Sequence, residues 1–148
     1  MLIKLFFNLR KCIFNNILCK IFKPFLYFVY RFIMWVYGSS IPLNTNFEDI
    51  PVFPHGLYGI FISGGAKIGK NVTIFHHVTI GSVATVGSKK IGSPIIGNNV
   101  SIGTGAKIVG GITVGNNVKI GANVVVFEDI PDNCTVVVDK PRVIHNAS

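Results

Sequence analysis

The sequence predicts an all-β solenoid with a helical segment ahead of it. Three observations predict this: apolar residues recur every six places from Ile62 onward, a small or aliphatic residue follows four places after each, and the first 37 residues carry a helical period instead.

The six-residue period comes first. Ile62, Ile68, Ile74 and Ile80, then Ile96, Ile102, Ile108, Val114, Ile120 and Val126 open successive hexads. Four places on stand Ala66, Val72, Val78, Ala84, Val100, Ala106, Ile112, Val118, Val124 and Ile130. A helix repeats its side chains every 3.6 residues and a strand every 2, so neither alone writes this pattern. Three short strands per coil do. The β-branched first residue points into a narrow triangular prism, the small fifth residue fits its corner, and ladders between coils pair the backbone. Gly at the second position, as in Gly69, Gly81, Gly97, Gly103, Gly115 and Gly121, is expected to allow a backbone turn there.

In the leader, Lys4, Asn8, Lys11 and Asn15 recur at helical spacing, with Leu2, Phe6, Leu9, Ile13 and Ile17 on another face. Pro24 interrupts, and Phe25 to Tyr37 forms a second apolar run broken by Arg31. That run falls short of the roughly 20 apolar residues that span a bilayer. Recurring bases and the lack of a small-residue cleavage site argue against a removed signal. Two readings stand side by side. The leader lies in a membrane interface with Tyr27, Tyr30, Trp35 and Tyr37 as anchors, or it caps the open end of the solenoid or a subunit contact. The expected organisation is a leader over 1–37, an entry segment over 38–61, the solenoid over 62–131 and a tail over 132–148.

Composition narrows the function classes. The 148 residues are 49% hydrophobic and 14% charged, with 16 glycines and a net charge of +8. Residues 1–37 hold six of the bases (Lys4, Arg10, Lys11, Lys20, Lys23, Arg31) and no acid, which leaves eight bases and six acids for the remainder. A cationic leader on a nearly balanced body suits an anionic membrane surface, and no nucleic-acid-binding motif is present, so a cytoplasmic protein at the inner face of the membrane is expected. Cys12, Cys19 and Cys134 follow no metal-ligand spacing and read as small buried hydrophobes, so no metal is expected. The triplets at Asn71, Asn99 and Asn133 match the glycosylation pattern by chance.

The hexads slip once. Sixteen residues separate Ile80 from Ile96, so a loop is extruded at about 82–94, although Ala84 and Val86 would prolong one more hexad. Insertions are where solenoids carry function. The stretch from His55 through Ile60-Phe-Ile, Asn71 to Gly81, the loop end Ser93-Pro94, Ile102 to Ile108, Ile120 to Val125, and Asp129-Ile-Pro131 on to Val143 resembles the serine acetyltransferase family of left-handed β-helix acyltransferases. The resemblance implies a left-handed parallel β-helix, a homotrimer or a pair of trimers, and acetyl-CoA as acyl donor in a groove between prisms, closed by the loop. It also implies a catalytic histidine at His55. Here Pro54 replaces the Asp usual before that histidine, and Ser93 replaces a second active-site histidine. Ser93 is therefore the residue expected to meet the acceptor.

A hydroxyl attacks a thioester slowly unless a base takes its proton as the bond forms, and histidine suits that task near neutral pH. No Ser or Cys stands in a nucleophile setting, which favours direct transfer. His55 is the expected base, with one of His76 and His77 touching substrate or orienting it; His145 lies in the tail. Backbone N–H groups at Gly81-Ser82 are candidates for holding the oxyanion. Coenzyme A phosphates call for cations such as Lys89, Lys90, Lys107, Lys119, Lys140 and Arg142. Thr104 and Ala122 match positions of the resembled family where the pantetheine arm passes. The expected function is O-acetyl transfer to a sugar hydroxyl of a surface polysaccharide or its precursor. Serine is the rival acceptor, and a non-catalytic scaffold is the alternative from another class.

Overall fold

The computed structural model describes residues 2–15 and 23–139, which form two helices followed by a left-handed parallel β-helix. Helices α1 (Leu2–Asn15) and α2 (Lys23–Val36) precede twelve strands of two or three residues. These are β1 (Asn46–Phe47), β2 (Phe61–Ile62), β3 (Lys67–Ile68), β4 (Thr73–Ile74), β5 (Thr79–Gly81), β6 (Ile95–Ile96), β7 (Ser101–Ile102), β8 (Lys107–Val109), β9 (Thr113–Val114), β10 (Lys119–Ile120), β11 (Val125–Val126) and β12 (Thr135–Val136). They stack into three parallel four-stranded sheets, β2-β5-β8-β11, β1-β3-β6-β9 and β4-β7-β10-β12, one for each side of the prism. The sheets thus reach beyond residues 62–131 in both directions.

Register shows how the hexads build this. Phe61 pairs with Thr79 and Ser101 with Lys119, eighteen residues or three hexads apart. Ile62, Ile68, Ile74, Ile80, Ile96, Ile102, Ile108, Val114, Ile120 and Val126 all point inward and are buried. Each such side chain contributes roughly 1.5–3 kcal/mol of transfer free energy.

Across the slip, Lys67 pairs with Ile95, Thr73 with Ser101 and Thr79 with Lys107, each twenty-eight residues apart. All three ladders absorb the same ten extra residues, so the loop is a pure insertion between β5 and β6. Its position corrects one expectation. Ala84 is exposed and does not prolong the hexads; Pro94 is buried in the fifth slot, its carbonyl accepting from Lys67 N–H at 3.1 Å. Val86, 95% exposed, is the outermost of the loop's hydrophobic residues.

Two further expectations are corrected. Ile130 does not fill a fifth position: it pairs with Val114 sixteen residues earlier, as a first-position residue, so the last coil is two residues short. Nor do the second-position glycines make the turn, because none has a positive φ. The left-handed residue is the fourth of the hexad: Asn71, His77, Asn99, Asn117, Asn123 and Asn133 have φ between 53° and 61°. Asn tolerates this region because its short amide bonds locally. The second-position glycines answer to close stacking instead: a Cβ on Gly69 would lie 2.6 Å from the carbonyl oxygen of Gly97.

The helices close the prism at β1 and β2. Phe6 and Phe7 are buried, and the Phe7 ring lies 5.3 Å edge-on to Phe47. Arg10, 8% exposed, spends its guanidinium on the chain: Nη1 donates to Pro42 O at 2.8 Å, and Nη2 to Thr45 O at 2.8 Å and Leu43 O at 3.1 Å. Tyr30 donates its hydroxyl to Ile41 O, and burial pushes its phenol above the usual tyrosine range against the opposing pull of Arg10. Tyr30 is therefore no interface anchor, while Tyr37 is half-buried with its ring 4.7 Å from that of Tyr58. Cys12 and Cys134 are free and half-buried, not buried; Cys19 lies outside the described residues.

Candidate active site

The prism has three corners, and the expected site residues fall on two of them. Where the β4-β7-β10-β12 sheet turns into the β2-β5-β8-β11 sheet, the third residue of each hexad forms a column along the edge: Tyr58, His76, Thr104 and Ala122. Backbone ladders hold it: His77 N–H donates to Tyr58 O at 2.9 Å, Gly105 N–H to His76 O at 3.1 Å and Asn123 N–H to Thr104 O at 2.8 Å. Thr104 and Ala122 thus continue the line that begins at the histidines.

His55 arrives from the entry segment and stands against this edge. Its ring lies 5.1 Å from that of His76 at 90° and 5.7 Å from Phe75. Tyr37, Gly38, His55, Tyr58, Gly59, Phe61, His76 and His77 surround a cleft of about 660 Å³. His55 is exposed at its mouth, whereas Nδ1 of His76 is buried without a hydrogen-bond partner. Buried ring nitrogens ordinarily find a partner, and this one has none among the described residues.

The adjacent His77 has another occupation. It holds the left-handed corner position with φ 58°, between Gly59 and Gly105 on neighbouring coils, and its ring lies over Gly59, where any Cβ would collide with it.

Gly81, Ser82, Lys89 and Ser93 lie at the next corner, where the β2-β5-β8-β11 sheet turns into the β1-β3-β6-β9 sheet. Ser93 is the corner residue there, its Oγ packed over Gly65. Val83 and Gly92 exchange N–H···O bonds of 2.9 Å and close the loop's stem. Lys90 Nζ meets Asp129 Oδ2 at 2.5 Å, and Thr113 N–H donates to Asp129 Oδ1 at 2.8 Å. The Lys90 contact and the Thr113 N–H hold the Asp129 carboxyl below the usual carboxylate range. One side of the prism is five or six residues wide, roughly 17–20 Å at about 3.3 Å per residue. Within one chain, Gly81, Ser82, Lys89 and Ser93 are thereby separated from His55 and His76. Lys140 and Arg142 lie outside the described residues. Lys119 is exposed on its strand, and Lys107 donates to Gly105 O at 3.1 Å. Among the described residues no group of three or more His, Cys, Asp or Glu gathers as a metal site.

None of the aromatic walls Tyr37, Tyr58 and Phe61 was expected at the site from sequence: Tyr37 was offered as an interface anchor, and all three precede the regular hexads that give the rest of the column its phase.

Residues 93–128 match the family described as Bacterial transferase hexapeptide (six repeats). WcaB of Escherichia coli (strain K12), whose name is that of a colanic acid biosynthesis acetyltransferase, is 36% identical over 130 residues, covering 87% of this chain and 78% of its own. The chain belongs to the serine acetyltransferase-like hexapeptide-repeat acyltransferases. A serine acetyltransferase of Helicobacter pylori is 44% identical over 90 residues, 61% of this chain and 51% of the relative. Serine acetyltransferase isoform 3 of Entamoeba histolytica, solved in complex with cysteine, superposes with a TM-score of 0.70 at 30% identity over 84% of this chain and 44% of that one. The chain spans about half the length of the serine acetyltransferases it matches.

Proposed function

We propose that the chain is an acetyl-CoA-dependent O-acetyltransferase in which His55 is the general base and His76 the group that positions it or the acceptor. The observation that carries this is the perpendicular His55–His76 pair at 5.1 Å beside a cleft of about 660 Å³. The acceptor hydroxyl loses its proton to His55 as its oxygen bonds to the acetyl carbon. The tetrahedral adduct then collapses, the C–S bond breaks, and the thiolate of coenzyme A takes the proton back from the imidazolium.

The active unit in this reading is a homotrimer. A gap of roughly 17–20 Å between the histidine corner and the loop corner of one prism closes when the loop of a neighbouring copy lies against the histidines. Gly81, Ser82 and Lys89 of that neighbour then reach the donor, and Ser93 the acceptor, while Thr104 and Ala122 leave space for its pantetheine arm along the edge.

For the acceptor we favour a sugar hydroxyl of a surface polysaccharide or its precursor. The match to WcaB runs over 87% of this chain and 78% of that protein, whereas the match to the Helicobacter pylori enzyme covers 51% of the latter. Serine is the second reading, favoured by the higher identity of 44% over 90 residues. Release of coenzyme A thiol from acetyl-CoA, followed with glycan acceptors and with free serine, separates the two; efficient acetylation of serine overturns the sugar reading. In the same assay His55→Ala is expected to lower transfer by about 10²- to 10⁴-fold. Unchanged transfer sinks the whole assignment.

A further inference from the structure

The second helix is apolar on both sides. Tyr30 and Met34 are buried against the coil cap, with Leu26 and Ile33 packed beside them. On the opposite side Phe25, Phe28, Phe32, Trp35 and Val36 are 64, 66, 51, 77 and 55% exposed. At 100° per residue these five fall on one face, and at 1.5 Å per residue the strip is about 16 Å long. A helix that is hydrophobic all round calls for a second cover.

Charge tells what kind of cover. Residues 1–47 contain no acid, and Glu48 is the first. Lys23 and Arg31 are exposed on the same helix, and Arg31 lies between Tyr27 and Trp35 in a row at i, i+4 and i+8 beside the strip. Lys4 and Lys11 are exposed on α1. A second copy laid on the strip would bring Arg31 against cations with no acid to answer them. An anionic lipid surface answers both the aromatics and the charge. The helix has 14 residues, about 21 Å, and among the described residues no helix is long and apolar enough to cross a membrane.

We propose that the outer face of α2, Phe25, Phe28, Phe32, Trp35 and Val36 with Arg31 at its margin, docks in the interfacial layer of an anionic bilayer, parallel to its plane. Tyr30, which the sequence also offered as an interface anchor, stays with the coil cap, as does Arg10.

Trp35 is the chain's single tryptophan and reports on the face directly. The purified full chain is titrated with vesicles of phosphatidylglycerol and phosphatidylcholine, and with phosphatidylcholine alone, while its emission is followed; acetyl donor is absent, so catalysis does not enter. Expected are a blue shift and quenching by brominated lipid with the anionic vesicles, and several-fold weaker partitioning without phosphatidylglycerol or at high salt. Phe28→Ser with Phe32→Ser is expected to lower partitioning by about tenfold or more, with the thermal unfolding of the coil unmoved because both rings are outside the core. Emission indifferent to vesicles, or partitioning untouched by the double change, overturns the proposal. So does emission already shifted before lipid is added, in a protein whose assembly state falls when the two rings are removed, since the strip is then a contact between copies.

Discussion

Two edges of the prism use the same backbone turn for opposite ends. On the edge joining the β1-β3-β6-β9 sheet to the β4-β7-β10-β12 sheet, all four left-handed residues are Asn. Asn71 Nδ2 donates to Asn99 Oδ1 at 3.2 Å, Asn99 to Asn117 at 3.1 Å, and Asn117 to Asn133 at 3.0 Å. Each amide pairs with the next, so the edge is tied to itself along its length. On the histidine edge the same position runs Gly59, His77, Gly105 and Asn123, and no such ladder forms among the described residues. Beside it the cleft opens and His76 keeps a buried nitrogen unpaired. A regular corner closes upon itself; the corner that departs from the pattern is the one with chemistry to spare.

The strongest test of that contrast separates two neighbours. His76→Ala is expected to lower acetyl transfer by about 10- to 100-fold, because it removes the group facing His55. His77→Asn, which keeps a residue suited to the left-handed region, should leave transfer near that of the parent. If the Asn variant is the inactive one, the two roles are reversed. The next effect belongs to the closed edge. Asn99→Ala breaks two rungs and leaves at φ 56° a residue without the local amide bonding that lets Asn tolerate it, and is expected to cost about 2 kcal/mol in urea unfolding. Asn99→Gly should recover about half of that loss by relieving the backbone alone. Equal losses in the two variants would mean that conformation contributes nothing.

The prism was legible because its interior admits only β-branched and small residues at fixed places, and the six-residue phase survives in the sequence. The loop was legible at its end and not at its start. Ala84 and Val86 mimic a hexad, and only the return of Pro94 and Ile96 to the ladders shows that they lie outside it. The Asn at the fourth position was in plain view, but the turn was sought at the glycines, whose role is close stacking. Tyr30 was misread for a physical reason: on a helix apolar all round, the 3.6 period does not say which face meets the core. Of the site, His55 was legible through the family resemblance. The difference between His76 and His77 was not, because it rests on a positive φ at one of two adjacent residues.

The smallest expected effect lies at the loop's stem, which neither edge controls. Asp129 accepts from Lys90 and from Thr113 N–H, and its carboxyl sits below its usual value of 3.8. A carboxylate with a lowered native value contributes its stabilisation above the unfolded value and loses it as pH falls through the native one. The tie should therefore hold at neutral pH and through the range where free carboxylates begin to protonate, giving way only below 3.8. The Thr113 amide resonance is the direct readout. It should titrate in that acidic window, move toward the usual carboxylate value in Lys90→Met, and lose the transition in Asp129→Asn. A Thr113 amide indifferent to pH across this window would mean that the carboxylate is not its acceptor. The stem would then be held by the Val83–Gly92 pair without help from Asp129.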